Sequence, residues 1–93
     1  MPEFKISSDR QKLIAELIDR LPMYRKKLHL SQTDLAAKIG KSRQTLSDIE
    51  RGVAPMGWDT YLAILMVFEC NGLFCDPEVP DIRSAVTKEL MLF

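Results

Sequence analysis

Arg43 and Gln44 stand side by side in the stretch QTDLAAKIGKSRQTLSDIERG, which runs from Gln32 to Gly52. A guanidinium can bond guanine O6 and N7 together, and a carboxamide can do the same at adenine N6 and N7. Each such pair discriminates against a wrong base by about 1–3 kcal/mol. Ser47 and Asp48 lie one turn further along, on the same side if a helix begins at Arg43. Two roles are open to Asp48: it can accept from cytosine N4, or it can pair with Arg51 or Arg43, since phosphates repel a carboxylate. Lys38 and Lys41 carry ammonium groups able to reach phosphates nearby. The chain offers little for catalysis or metal binding. No nucleophile has a paired base, and the single histidine, His29, has no orienting acid or metal-binding companions. Cys70 and Cys75 are too few for a zinc site or a disulfide framework and read as buried, reduced apolar fillers. The chain therefore reads as a non-enzyme with no metal and no cofactor.

These side chains need two short helices to hold them. Ser31 reads as the N-cap of a helix from Gln32 to Lys38 or Ile39 that Gly40 ends, and Ser42 as the N-cap of Arg43 to Glu50 or Arg51. Ala36 lets the pair cross closely, and Gly40 supplies the positive φ of the turn without steric penalty. Leu35, Ile39, Leu46 and Ile49 form the inner faces, which leaves Arg43, Gln44, Ser47 and Asp48 outside. This is the pattern of a helix-turn-helix, residues 31–52, whose second helix presents its N-terminal residues to base edges in the major groove.

Upstream, Ser8 and Gln11 make a weak capping box before apolar residues at Leu13, Ile14, Leu17, Ile18, Leu21, Tyr24 and Leu28. Pro22 predicts a kink or two abutting helices across 8–28, because it lacks an N–H and its ring meets the carbonyl of Ile18. Arg25, Lys26 and Lys27 suit a helix C-terminus, and His29 reads as an exposed C-cap residue tolerant of positive φ. Downstream, a core and dimer helix is expected within 57–71, from Trp58 to Cys70, its first amides near Gly57 open to a phosphate. Leu73–Cys75 reads as a short strand or a buried loop. Asp81 can cap a last helix within 81–93 that carries Ile82, Val86, Leu90 and Phe93 on one side. With 93 residues, 46% of them hydrophobic, the expectation is a single all-α domain of five or six helices.

Thirteen basic and thirteen acidic residues cancel, but they are unevenly spread. Arg20 to Gly52 holds eight basic against three acidic residues, a net of +5; Val53 to Asp81 holds five acids and no Lys or Arg. Such asymmetry suggests one face for a polyanion and another for a different partner. The longest apolar run, Tyr61 to Phe68, is eight residues, far short of the roughly 18–20 of a membrane span. Met1-Pro2-Glu3-Phe4-Lys5 has no basic-then-apolar pattern of a secretory signal. A soluble cytoplasmic protein is expected.

The motifs LSQTDLA, IG, TLSDIERG, a proline soon after, and DTYLAI leading to NG resemble the Xre/Cro (phage repressor) family of DNA-binding domains over Leu21 to Gly72. The resemblance implies a lambda-repressor-like bundle that binds double-stranded DNA. It places Gln32 and Thr45 at phosphates, with Ser42 in reach of one, and Arg43, Gln44, Ser47 and Asp48 at or near bases. Pro22, His29 and Lys41 depart from the family pattern.

The helix from Trp58 is apolar nearly all round, so it should be buried on more than one side. Trp58, Leu62, Leu65 and Phe68 are expected to close the helix-turn-helix core. Tyr61, Ile64 and Val67, with Leu73, Phe74 and Cys75, are expected to meet a second copy. Such a two-fold dimer suits a palindrome with half-sites about 34–36 Å apart. In the alternative, the C-terminal helix folds back over this face. YLAILMVFECNGLFCD also resembles HipB-type antitoxins, which implies a ribbon of paired Leu73–Cys75 strands between subunits. It further implies a HipA-like kinase toxin docked on the acidic surface or the tail. The function expected is a homodimeric transcriptional repressor on a palindromic operator, in the form of an autoregulatory antitoxin. The alternatives are a phage or mobile-element repressor, or a helix-turn-helix fold used only for protein interaction.

Overall fold

The structure, a computed structural model, describes residues 8–91. The cap expected from the Ser8 side chain, the place of Phe93 on the last helix and the stretch Met1–Lys5 lie outside the described residues. Five helices follow in order: α1 (Ser8–Lys27), α2 (Gln32–Ile39), α3 (Arg43–Glu50), α4 (Trp58–Cys70) and α5 (Arg83–Leu90). A 3₁₀ turn, Leu73–Cys75, lies between α4 and α5, and the described residues contain no strand.

α1 runs through Pro22 as one helical element, so of the two alternatives expected there, a kink or a pair of abutting helices, the pair is not formed. Pro22 removes a hydrogen bond, but Leu21 before it and Tyr24 after it are both buried. Burying such side chains is worth about 1.5–3 kcal/mol each, enough to offset the missing bond. His29, exposed at φ 57°, ends the segment in the left-handed region as expected. α2 opens on a reciprocal cap: Ser31 Oγ accepts from the Asp34 N–H at 2.9 Å, and Asp34 Oδ2 accepts from the Ser31 N–H at 3.1 Å. Gly40 at φ 73° closes α2, and the Lys41 N–H donates to the Ala36 carbonyl at 2.9 Å. Ser42 caps α3 by accepting from the Thr45 N–H at 3.0 Å.

The core gathers where α4 passes behind α1, α2 and the 3₁₀ turn. Leu21, Leu35, Leu46, Tyr61, Ile64, Phe68 and Leu73 are fully buried there. Tyr24 meets Phe68 edge-on at 6.0 Å between ring centroids, and Trp58 stacks on Tyr61 at 4.8 Å.

Four expectations for this half of the chain change. The strand at Leu73–Cys75 is a 3₁₀ turn, closed by Cys75 N–H to the Gly72 carbonyl and Asp76 N–H to the Leu73 carbonyl, both 3.1 Å. Gly72 at φ 80° bends the chain too tightly to feed a ladder. Tyr61, Ile64, Leu73 and Phe74, expected at a second copy, are buried within the chain; Val67 is half-buried against the same core, and Cys75 alone of that group is exposed. The two faces of α4 partly exchange roles, since Trp58 and Leu62 are only half-buried. Finally, Cys70 and Cys75 are free thiols but both are exposed, because the turn sends Leu73 and Phe74 inward and Cys75 outward.

α5 folds back onto its own chain. Val86 is buried, Arg83 Nη1 reaches Glu69 on α4 at 3.0 Å, and Arg10 of α1 bonds Glu89 through Nε to Oε1 at 3.1 Å. Asp81 Oδ1 accepts from the Arg83 N–H at 3.0 Å, which supplies the expected cap one residue before the structural N-cap Ile82.

Candidate nucleic-acid interface

α3 buries Leu46 and Ile49 and turns Arg43, Gln44 and Thr45 to the surface, with Ser47 and Asp48 half-buried at its flank. The Arg43 side chain makes no hydrogen bond or ion pair with any other described residue, and the same holds for the side chains of Lys38 and Lys41. Three exposed cations are thus uncommitted around the turn between α2 and α3. Gln44 Nε2 donates to Asp48 Oδ1 at 2.9 Å. Its carbonyl oxygen and second N–H stay available, which are the two groups an adenine edge requires. Asp48 Oδ1 also accepts from Arg51 Nη2, so of the roles open to Asp48 it takes the ion pair with Arg51. That pairing offsets the negative charge beside the reading surface.

Gln32 and Thr45, the side chains expected at phosphates, sit at the N-terminal ends of α2 and α3. Thr45 Oγ1 and Ser42 Oγ lie 2.8 Å apart, both exposed. Gln32 is less free: its Nε2 donates to Glu50 Oε1 at 3.0 Å and retains one N–H. Glu50 is in turn held by Arg25, Nε to Oε2 at 2.7 Å and Nη2 to Oε1 at 2.9 Å, while Arg25 Nη1 donates to the Leu30 carbonyl at 3.2 Å. This bidentate pair, with side chains 14% and 6% exposed, ties α1, the start of α2 and the end of α3 together. Sequence reasoning missed it, because a pair 25 residues apart leaves no local signal. The reciprocal half of the Ser31 cap, the Asp34 carboxylate on the Ser31 N–H, was also missed, although Ser-x-x-Asp before an apolar run is a readable signature. The Ser31 backbone N–H holds the Asp34 carboxyl below the usual carboxylate range.

The uneven charge of the sequence resolves into pairs. Of the eight basic residues between Arg20 and Gly52, Arg25, Lys27 and Arg51 are paired; Arg20, Lys26, Lys38, Lys41 and Arg43 are without an ion pair among the described residues. The acidic stretch is not a bare acidic face. Lys27 binds Asp76 at 3.1 Å and Glu78 at 3.2 Å, and Arg83 binds Glu69 and Asp81. The Arg83 guanidinium holds the Asp81 carboxyl down to about 2. The phosphate expected near Gly57 also meets an obstacle. A Cβ on Gly57 would lie 2.6 Å from Asp59 Oδ1, so the chain's own carboxylate lies beside those amides and disfavours a second anion there.

Residues 23–57 match the model of the helix-turn-helix family HTH_3. The chain carries a helix-turn-helix of the Xre/Cro type. The matched segment begins just after Pro22, spans α2 and α3 entire and ends at Gly57, before α4. No curated protein and no solved structure matches the chain. The helix-turn-helix supports a DNA-binding regulator, from a family of regulatory domains and not of enzymes. No helix among the described residues is long and apolar enough to cross a membrane.

Proposed function

We propose that the protein is a sequence-specific, DNA-binding transcriptional repressor that acts as a homodimer on a palindromic operator. The observation that carries this reading is the state of the α2–α3 surface: Arg43, Lys38 and Lys41 are exposed and uncommitted, while the nearby acids Asp48 and Glu50 are each held by an arginine. In this reading Arg43 and Gln44 read bases, Ser47 lies beside them, and Lys38, Lys41, Ser42, Thr45 and the remaining N–H of Gln32 hold phosphates. Asp48 acts by orienting Gln44.

An autoregulatory antitoxin role rests on the resemblance of residues 61–76 to HipB-type proteins, and loses the paired strand that the resemblance implied. A phage-type repressor needs no such strand. Co-purification of the neighbouring gene's product with this chain supports the antitoxin, and its absence favours the phage-type repressor. The operator is tested by fluorescence anisotropy with DNA from immediately upstream of the protein's own gene, against scrambled competitor, at two salt concentrations. Tight, competitor-resistant and salt-sensitive binding is expected. No binding to any DNA at low salt would overturn the reading in favour of a protein-interaction module.

A further inference from the structure

A carboxamide can turn over about its last bond, since that torsion is broad and nearly two-fold. A free glutamine on a recognition helix therefore suits two purines. In one orientation its oxygen accepts from adenine N6 while an N–H donates to N7. In the other, both N–H groups reach guanine O6 and N7, which only accept. Gln44 is not free in this way. Its Nε2 donates to Asp48 Oδ1 at 2.9 Å, one helical turn away, and the same oxygen accepts from Arg51 Nη2. An ionised carboxylate has no hydrogen to give, so turning the amide over would set Oε1 against Oδ1, two acceptors in contact.

We infer that Asp48 is a specificity-determining positioning residue: it fixes the Gln44 amide so that α3 takes adenine and rejects guanine at one base pair. The inference rests on the proposed DNA reading and deepens it, from which side chain reads to which base is turned away. With one N–H spent on Asp48, Gln44 offers one acceptor and one donor to a base edge. Adenine N6 and N7 satisfy both, whereas guanine would set O6 against Oε1. Discrimination then comes from a repulsive contact with the wrong base as well as from bonds to the right one. Arg51 completes the arrangement. Ion-paired to Asp48, it holds the carboxylate in place and offsets a charge that phosphates would repel.

Duplexes selected by the native chain from a randomised pool supply the probe. The base pair at which Gln44→Ala loses preference is the one that Gln44 reads. Adenine is expected there, favoured over guanine by at least about tenfold. Asp48→Ala and Asp48→Asn should each lower that ratio at least about fivefold, with helicity and the preferences at other pairs unchanged. In a Gln44→Ala chain neither substitution should move the ratio, because Asp48 acts only through Gln44. Total affinity behaves differently: each variant removes a carboxylate beside the phosphates, so binding to every sequence should tighten. Natively helical Asp48 variants that keep the native ratio, a guanine preference at that pair, or no pair that responds to Gln44→Ala overturns the inference and leaves the DNA reading standing. A native chain that binds no duplex even at low salt overturns that reading, and the inference with it.

Discussion

Arg43 and Tyr61 show how much depends on what a side chain already holds. Arg43 has no partner among the described residues, so no intramolecular bond must break before it meets a base. Arg43→Ala is expected to cost about 1–3 kcal/mol of operator affinity and to relax preference at one base pair. If affinity falls but preference at every position is unchanged, as measured on a set of singly substituted operators, Arg43 holds a phosphate and not a base. Tyr61 presents the opposite case. It is fully buried, and its hydroxyl has no hydrogen-bond partner among the described residues. An unsatisfied buried hydroxyl costs about 1–3 kcal/mol, so Tyr61→Phe is expected to raise stability by about 1 kcal/mol in denaturant unfolding. Burial first, and the Glu16 carboxylate second, push the phenol up to about 12. The folded chain therefore keeps its proton where the unfolded chain loses it, and stability falls as pH rises from the ordinary 10 towards 12. Tyr61→Phe should flatten that alkaline loss; a variant less stable than the native chain would mean that the hydroxyl has a partner.

At the scale of elements, α3 is fixed at both ends, by the Ser42 cap and by Glu50 in the bidentate grip of Arg25. Removing one partner of a buried pair leaves the other charged and unsatisfied, so Glu50→Ala is expected to destabilise the fold by about 3 kcal/mol. Arg25→Met combined with Glu50→Ala should recover part of that loss, since it removes the orphaned charge as well. A Glu50→Ala variant as stable as the native chain would show that packing alone seats α3. The caps and the inner apolar faces of α2 and α3 are legible in the sequence because their signals are local: Ser31, Ser42 and Gly40 each act on near neighbours in the chain. The outward placing of Arg43, Gln44 and Thr45 follows from the same helical period. The roles of α4 and α5 are less legible. α4 is apolar nearly all round, so periodicity does not say which side meets α1, and Tyr61 and Ile64, expected to face outward, belong to the core. A three-residue apolar run such as Leu73–Cys75 suits a strand or a turn equally, and only Gly72 at φ 80° and its i→i+3 bonds decide. The Arg25–Glu50 pair depends on the packing of α1 against α3, which no local pattern encodes.

Across the whole molecule, a net charge of zero hides a division of labour that bears on DNA binding. The acids after Val53 are largely consumed by Lys27 and Arg83, which fasten the C-terminal half to α1 and α4. Around α2 and α3, Lys38, Lys41 and Arg43 stay exposed and without an ion pair among the described residues. A molecule arranged in this way should bind a polyanion at one surface despite its balanced total, and its salt dependence should report those cations and not the net charge. Replacing both Lys38 and Lys41 with Gln removes two proposed phosphate-binding ammonium groups per copy, so the log–log salt slope should become shallower by about 0.9 for each phosphate no longer neutralised. Operator preference should stay as it is, because neither lysine is proposed at a base. Anisotropy titrations of native and doubly substituted chains at several salt concentrations read both quantities together. An unchanged slope would move the phosphate-binding role to Arg20 and Lys26, the other two unpaired cations of the basic stretch. A changed preference would show that the turn between α2 and α3 reaches into the groove beside α3.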